Sequence, residues 1–286
     1  MSSETPDGKI VQNRLIRYET IRRVGSGAFG RVMAVRDKRD RIIMAVKILK
    51  SLHNTDRTMR EVTIVKKLDH PNLISYISSQ KWGGLMEIFM ELKDGNLVDL
   101  MRREQANEAL VSPFLKQMLM ALDYLANRDV IHRDIKPENI LYVKNPQGGY
   151  IFQLADFGLS HENPDDAKSL AGTQPYMAPE VGRQTQTHKI DVWSLFMTLV
   201  WIYNVGDFRA MASHLTREQC YPMWKEATKG VLKRYRNMGA YWTGSRASAA
   251  EMLVALYHLE PGELTTKRDE VRPLLDVWEA WPGHSI

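Results

Sequence analysis

The chain has 286 residues, of which 44% are hydrophobic and 26% charged. That length and balance exclude a largely disordered chain and suit one large domain or two lobes sharing a core. The net charge of +5 permits attraction to acidic partners, yet basic residues are interleaved with acids, as in "VRDKRDR", which argues against a nucleic-acid stripe.

The single cysteine, Cys220, rules out an internal disulfide and fits a reducing compartment, so an intracellular protein, cytoplasmic or nuclear, is expected. The start "MSSETPDGKI" lacks a charged-then-apolar leader pattern, and residues 1–16 read as a short polar tail. From Tyr18 to Leu49 the pattern is strand-like: "YETIRRVG" enters a glycine-rich turn, "RVMAVRD" alternates, and "RIIMAVKIL" is rich in β-branched residues. Met59, Val62, Val65 and Leu68 recur at helical spacing and predict a helix over Thr55–Leu68, ended by "HPN". Strand-like pieces follow at "LISYISS" and "LMEIFMEL", and the break falls near "ELKDGNL", at Gly95. From Leu97 onward helices are expected, interrupted only by polar loops near 132–180. The run "LFMTLVWIYNV", Leu195 to Val205, is shorter than the about 20 residues a bilayer requires and reads as a buried helix. Strands first and helices afterwards make an α+β chain of two lobes.

Several stretches carry chemistry. "GSGAFGRV" places Gly25, Gly27 and Gly30 where a hairpin can lie over a polyphosphate, though a plain flexible turn has the same spacing. A dinucleotide site would need a helix after the third glycine, and here a second strand is expected. Lys47 stands inside an apolar strand. Its head either snorkels to water or meets phosphate on one side and a carboxylate, Glu61, on the other. Asp156, after the strand-like "IFQLA", either begins a turn or binds Mg²⁺, with Asn139 as a second oxygen donor. "IHRDIKPENILY" crowds six polar groups into twelve residues: Asp134 suits a general base, Lys136 a charge for a phosphoryl group, and His132 a hydrogen-bonded core ring. Arg133 suits an anchor for a phosphorylated neighbouring loop.

Taken in order, "GSGAFGRV", "AVK", Glu61, "HRDIKPEN", "DFG", "GTQPYMAPE" and "DVWSL" resemble the protein kinase family, serine/threonine branch, over nearly the whole chain. The resemblance implies a two-lobed kinase fold, with residues 17–94 as a β-rich N-lobe and 95–286 as a helical C-lobe that diverges after about 205. It implies ATP in the cleft, covered by Val24, Gly25, Ser26, Gly27, Ala28, Phe29 and Gly30, with Lys47 on the phosphates and paired to Glu61. Val32, Ala45 and Leu141 would sandwich the adenine, Met90 would guard the back of the pocket, and Glu91 and Lys93 would offer backbone groups. Asn139 and Asp156 would hold Mg²⁺, Asp134 would act as catalytic base, Lys136 would meet the γ-phosphate, and Thr173 would contact Asp134 and Lys136. Ser169 is the activation-loop phosphosite candidate, where a phosphate could pair with Arg133. A protein with a serine or threonine acceptor is the implied partner; no nucleic acid or membrane partner is expected, and a monomer is the default.

Two departures stand out. Phe196 follows "DVWSL" where the family usually has glycine, so helix packing there must differ. The arginine that pairs with the glutamate of "APE", Glu180, is expected after "HLEP", where Leu264 stands; Arg268 or another base must substitute, or Glu180 is held otherwise.

Overall fold

A computed structural model describes residues 16–27, 30–49, 62–160, 172–182, 186–267 and 270–274. Ala28, Phe29, Glu61, Ser169 and Arg268 therefore lie outside the described residues. The chain divides after Asp94 into two compact units.

The first unit is a five-stranded antiparallel sheet of order β1-β2-β3-β5-β4, with β1 Tyr18–Gly27, β2 Gly30–Asp37, β3 Ile43–Leu49, β4 Tyr76–Trp82 and β5 Leu85–Met90. Period-two alternation sorts β3 onto both faces. Met44, Val46 and Ile48 join Ile16, Val35 and Phe89 in one buried cluster, while Leu49 joins Met86, Ile88 and Val62 on the other face. Val62 belongs to a helix described over 62–67 (α1). Because β2 pairs with β1 from Gly27↔Gly30 onward, the glycine-rich stretch closes a hairpin rather than opening a helix. Gly30 permits this closure, since a side chain there would collide with the Ile48 carbonyl of β3.

The second unit holds α2 Leu97–Leu100, α3 Glu108–Ala126, α4 Lys189–Ile202, α5 Phe208–Met211, α6 Tyr221–Lys229 and α7 Ala249–Tyr257. Asn107 caps α3 by accepting from the Leu110 N–H, and Val111, Phe114, Leu115, Met118, Leu122 and Leu125 form its buried stripe. α4 is buried from Ile190 to Ile202 on all sides, so it is a core helix. It ends at Ile202, three residues short of the expected Val205.

The second unit also contains a small sheet, β6 Gly95–Asn96, β7 Ile140–Lys144 and β8 Tyr150–Leu154, in that order. The strand-like "IFQLA" foretells β8, whereas β6 and β7, two and five residues long, are too short to stand out by alternation. The pairs Ile140↔Leu154 and Tyr142↔Phe152 supply the missing apolar face. The Phe196 departure is resolved by compensation. The ring is fully buried, and a Cβ at Gly239 would lie 2.8 Å from it. Volume added on α4 is removed from the segment it packs against.

Candidate active site

Within the polar stretch 131–139, His132, Arg133, Asp134 and Asn139 are buried while Lys136 is half-buried and Glu138 exposed, so the buried groups must be paired. Asp191, in the first turn of α4, anchors it: its carboxylate accepts the His132 N–H at 2.7 Å and the Arg133 N–H at 2.9 Å. This holds Arg133 at φ 70°, a left-handed conformation that turns the chain sharply before Asp134. Burial raises the Asp191 pKa above the usual carboxylate range, opposed by these N–H donors and by the Arg133 charge. The His132 ring accepts the Asp134 N–H on Nδ1 at 3.3 Å and donates from Nε2 to the Ala155 carbonyl at 3.1 Å. Those two bonds fix one neutral tautomer, so His132 is a structural tie.

Asp134 is the hub. Its Oδ2 accepts from Lys136 Nζ at 2.8 Å and from Asn139 Nδ2 at 2.9 Å, while Thr173 Oγ1 donates to Oδ1 at 2.6 Å. Lys136 Nζ also donates to Thr173 Oγ1 at 2.7 Å. A lysine, an aspartate and a threonine 37 residues beyond the lysine thus form one closed network. Gly172 allows the approach: its φ is 126°, and a Cβ there would lie 2.6 Å from the Arg133 carbonyl.

Asn139 has a second task. Its amide nitrogen is used twice by Asp134, through the carboxylate and through the backbone carbonyl at 2.8 Å. That commits the donor end and leaves the side-chain oxygen as an acceptor. The Ala155 N–H bonds the Asn139 carbonyl at 2.9 Å, which ties the residue before Asp156 to this loop. Asp156 is itself left-handed, at φ 69°, and accepts from the Gly158 N–H at 3.3 Å. Two hard oxygen donors from adjoining loops fit Mg²⁺, which takes one or two protein ligands and completes its shell with phosphate and water. Among the described residues no cluster of three or more acidic, histidine or cysteine side chains forms a cage.

The candidates of the first unit form their own group. Cross-strand pairs set Val32 opposite Lys47 and Ala45 opposite Met90, so the four side chains share one face of the sheet. Lys47 is 7% exposed, as expected of a cation held within a strand. Val24 stands out from the sheet at 44% exposure, and Gly25 pairs with Val32. Glu91 and Lys93 follow β5, their side chains joined at 2.5 Å. Leu141 belongs to β7, in the second unit, opposite Gln153.

The partner of Glu180 is Arg246, not a residue near 264–268. Its guanidinium nitrogens reach the two carboxylate oxygens at 2.5 and 3.0 Å, both side chains are buried, and further bonds go to the Ala240, Lys189 and Tyr241 carbonyls. The expected register was wrong by 18 positions, because "HLEP" follows α7 whereas Arg246 precedes it. The signal that marks it lies in "SRASAAEM", where Ser248 and Glu251 form the capping box that starts α7. Leu264 instead lies beside Thr265 and Thr266, whose N–H groups are tied to Asp123 of α3. Asp191 was also missed as an anchor, since its place at the head of an apolar helix reads as a helix start.

Comparison with known proteins agrees with this geometry. The family described as "Protein kinase domain" matches residues 18–258. The chain is 36% identical over 184 residues to Calcium-dependent protein kinase 5 of Plasmodium falciparum, covering 62% of this chain and 32% of the relative. It is 34% identical over 250 residues to Serine/threonine-protein kinase TIO of Arabidopsis thaliana, covering 80% and 19%. Serine/threonine-protein kinase Nek5 of Mus musculus is 31% identical over 188 residues, covering 62% and 29%. The match thus spans at most about a third of these relatives' length. With the family match running from the first strand to the end of the last helix, and with the Asp134, Asn139 and Thr173 network assembled from its ordered motifs, the chain belongs to the protein kinase domain family.

Proposed function

We propose that the chain transfers the γ-phosphoryl group of ATP to serine or threonine hydroxyls of protein substrates. The observation that carries this reading is the closed Asp134–Lys136–Asn139–Thr173 network, a preorganised charge array that solvent-exposed loop residues would not build. The relatives named as serine/threonine kinases support the choice of acceptor.

In the second unit, Asp134 orients the acceptor hydroxyl and takes its proton as the oxygen bonds to the γ-phosphorus and the bond to ADP breaks. Lys136, held by Asp134 and Thr173, meets the charge that shifts onto the phosphoryl oxygens. Asn139 and Asp156 would hold Mg²⁺, which would supply charge neutralisation to the phosphates. In the first unit, the Val24–Gly30 hairpin and Lys47 bind the triphosphate. Val32, Ala45 and Met90 offer an apolar face for the base, and Glu91 and Lys93 offer it their backbone groups. Glu61 orients Lys47, and phosphorylation of Ser169 regulates the loop through Arg133.

The test is transfer of radiolabelled phosphate from ATP to a generic basic protein. Asp134→Asn keeps the size and most hydrogen bonds but removes the base, and incorporation falls by about 10²-fold or more. Equal incorporation by variant and wild type overturns the assignment. Phosphoamino-acid analysis of the product is expected to give phosphoserine and phosphothreonine.

A further inference from the structure

The stretch 225–236, "KEATKGVLKRYR", holds five basic residues, Lys225, Lys229, Lys233, Arg234 and Arg236, against one acid, Glu226. Five minus one leaves +4, almost the whole +5 of the chain, in twelve residues. In the sequence the apolar residues between them make the cations look scattered. The fold shows why they alternate: Trp224, Ala227, Leu232 and Tyr235 are buried, which turns Lys225, Lys229, Lys233 and Arg234 to solvent.

The backbone concentrates them further. Lys225 and Lys229 stand one turn apart on α6. The Gly230 N–H bonds the Glu226 carbonyl at 2.9 Å and the Leu232 N–H bonds the Ala227 carbonyl at 3.0 Å, so the chain folds back at once and begins its next turn with Lys233. Val231, in the bend, is 54% exposed. The one acid leans elsewhere: the Glu226 carboxylate lies 3.4 Å from where a Cβ on Gly206 would stand. Among the described residues Lys225, Lys229 and Lys233 have no ion-pair partner, and Arg234 pairs with the exposed Glu108 at 2.9 Å and lies over the Tyr235 ring. Such an exposed pair contributes little.

We propose that this face docks an acidic segment of a protein partner, with an apolar side chain of that segment against Val231. Charge complementarity selects the occupant. Buried neighbours fix the backbone beneath the cations, so only their side chains have to be ordered on binding. A nucleic acid would call for a longer basic track with stacking platforms, whereas this patch is one helical turn and a bend interrupted by an exposed valine. The surface lies wholly within the second unit and uses no nucleotide, so its test is independent of phosphoryl transfer.

The experiment is fluorescence anisotropy of the full chain with a labelled glutamate-rich peptide carrying one leucine. A peptide with glutamine in place of glutamate serves as its control. At an ionic strength of about 0.1 M, where charges more than about 10 Å away are largely screened, K225E/K229E/K233E weakens binding about tenfold or more, while K38E/K81E/K267E, with the same net charge change, costs no more than about twofold. Asp134→Asn binds as wild type does. Equal loss in the two triple variants overturns the proposal, as does the lack of saturable binding. So does tighter binding of a duplex oligonucleotide or of phosphatidylserine vesicles than of the peptide.

Discussion

At Arg246 one side chain carries five hydrogen bonds and a ring contact, its guanidinium 5.0 Å from the Trp193 ring. Burying a charge in this way is costly, and the cost is met only while every partner is present. Arg246→Ala strands the Glu180 carboxylate with 5% exposure and removes the donors to three carbonyls. The expected loss is about 3–5 kcal/mol of stability, read as a lowered denaturant midpoint. Arg246→Lys should recover little of it, because an ammonium cannot supply the two-pronged fork. Sequence spacing identifies arginines but not which one faces Glu180, since the two lie 66 positions apart and meet only in the folded chain. Asp134, Lys136 and Asn139, within six consecutive residues, need no such knowledge to be singled out together.

At the scale of elements, the contact between α4 and the 3₁₀ segment Lys233–Gly239 shows a volume exchange. Phe196 fills the room that a side chain at 239 would have taken, and the Gly239 carbonyl accepts from Trp224 Nε1 at 2.7 Å, which fixes the backbone there. Gly239→Ala therefore drives a methyl into a ring that cannot retreat, at an expected cost of about 1–3 kcal/mol. Phe196→Leu made in the same molecule should return part of that loss, a coupling that a double-mutant cycle of denaturation midpoints measures directly. Additive effects would show that the two positions do not share this volume. The sequence announces the extra ring at Phe196 and cannot announce its relief at Gly239. The alternation of β2 and the β-branched run of β3 make those strands legible, and "IFQLA" marks β8, whereas β7, five residues inside a polar stretch, offers too little pattern.

For the molecule as a whole, the response to pH gathers around the head of α4. His188 lines a cavity of about 220 Å³ with Asp123, Asn127, Lys189, Glu251, Thr266 and other polar groups. Burial lowers its pKa below the ordinary 6.5 and the Lys189 charge adds to this, while Glu251, Asp123 and Asp129 oppose it. The unfolded chain therefore takes up a proton at this ring before the folded one does. Stability is fully present above pH of about 6.5 and is lost as pH falls from there toward the folded value. Asp191, whose pKa is raised by burial, acts with the opposite sign, so the raw slope mixes the two. Comparing wild type with His188→Gln separates them, because the variant removes the proton uptake and leaves Asp191 in place. Melting temperatures measured at pH 7.5 and 5.5, about one unit either side of the ordinary histidine value, should fall more steeply for wild type than for the variant. Equal slopes would mean that the ring titrates alike in the folded and unfolded chains, and that the desolvation at this end of the helix has no part in the acid sensitivity of the protein.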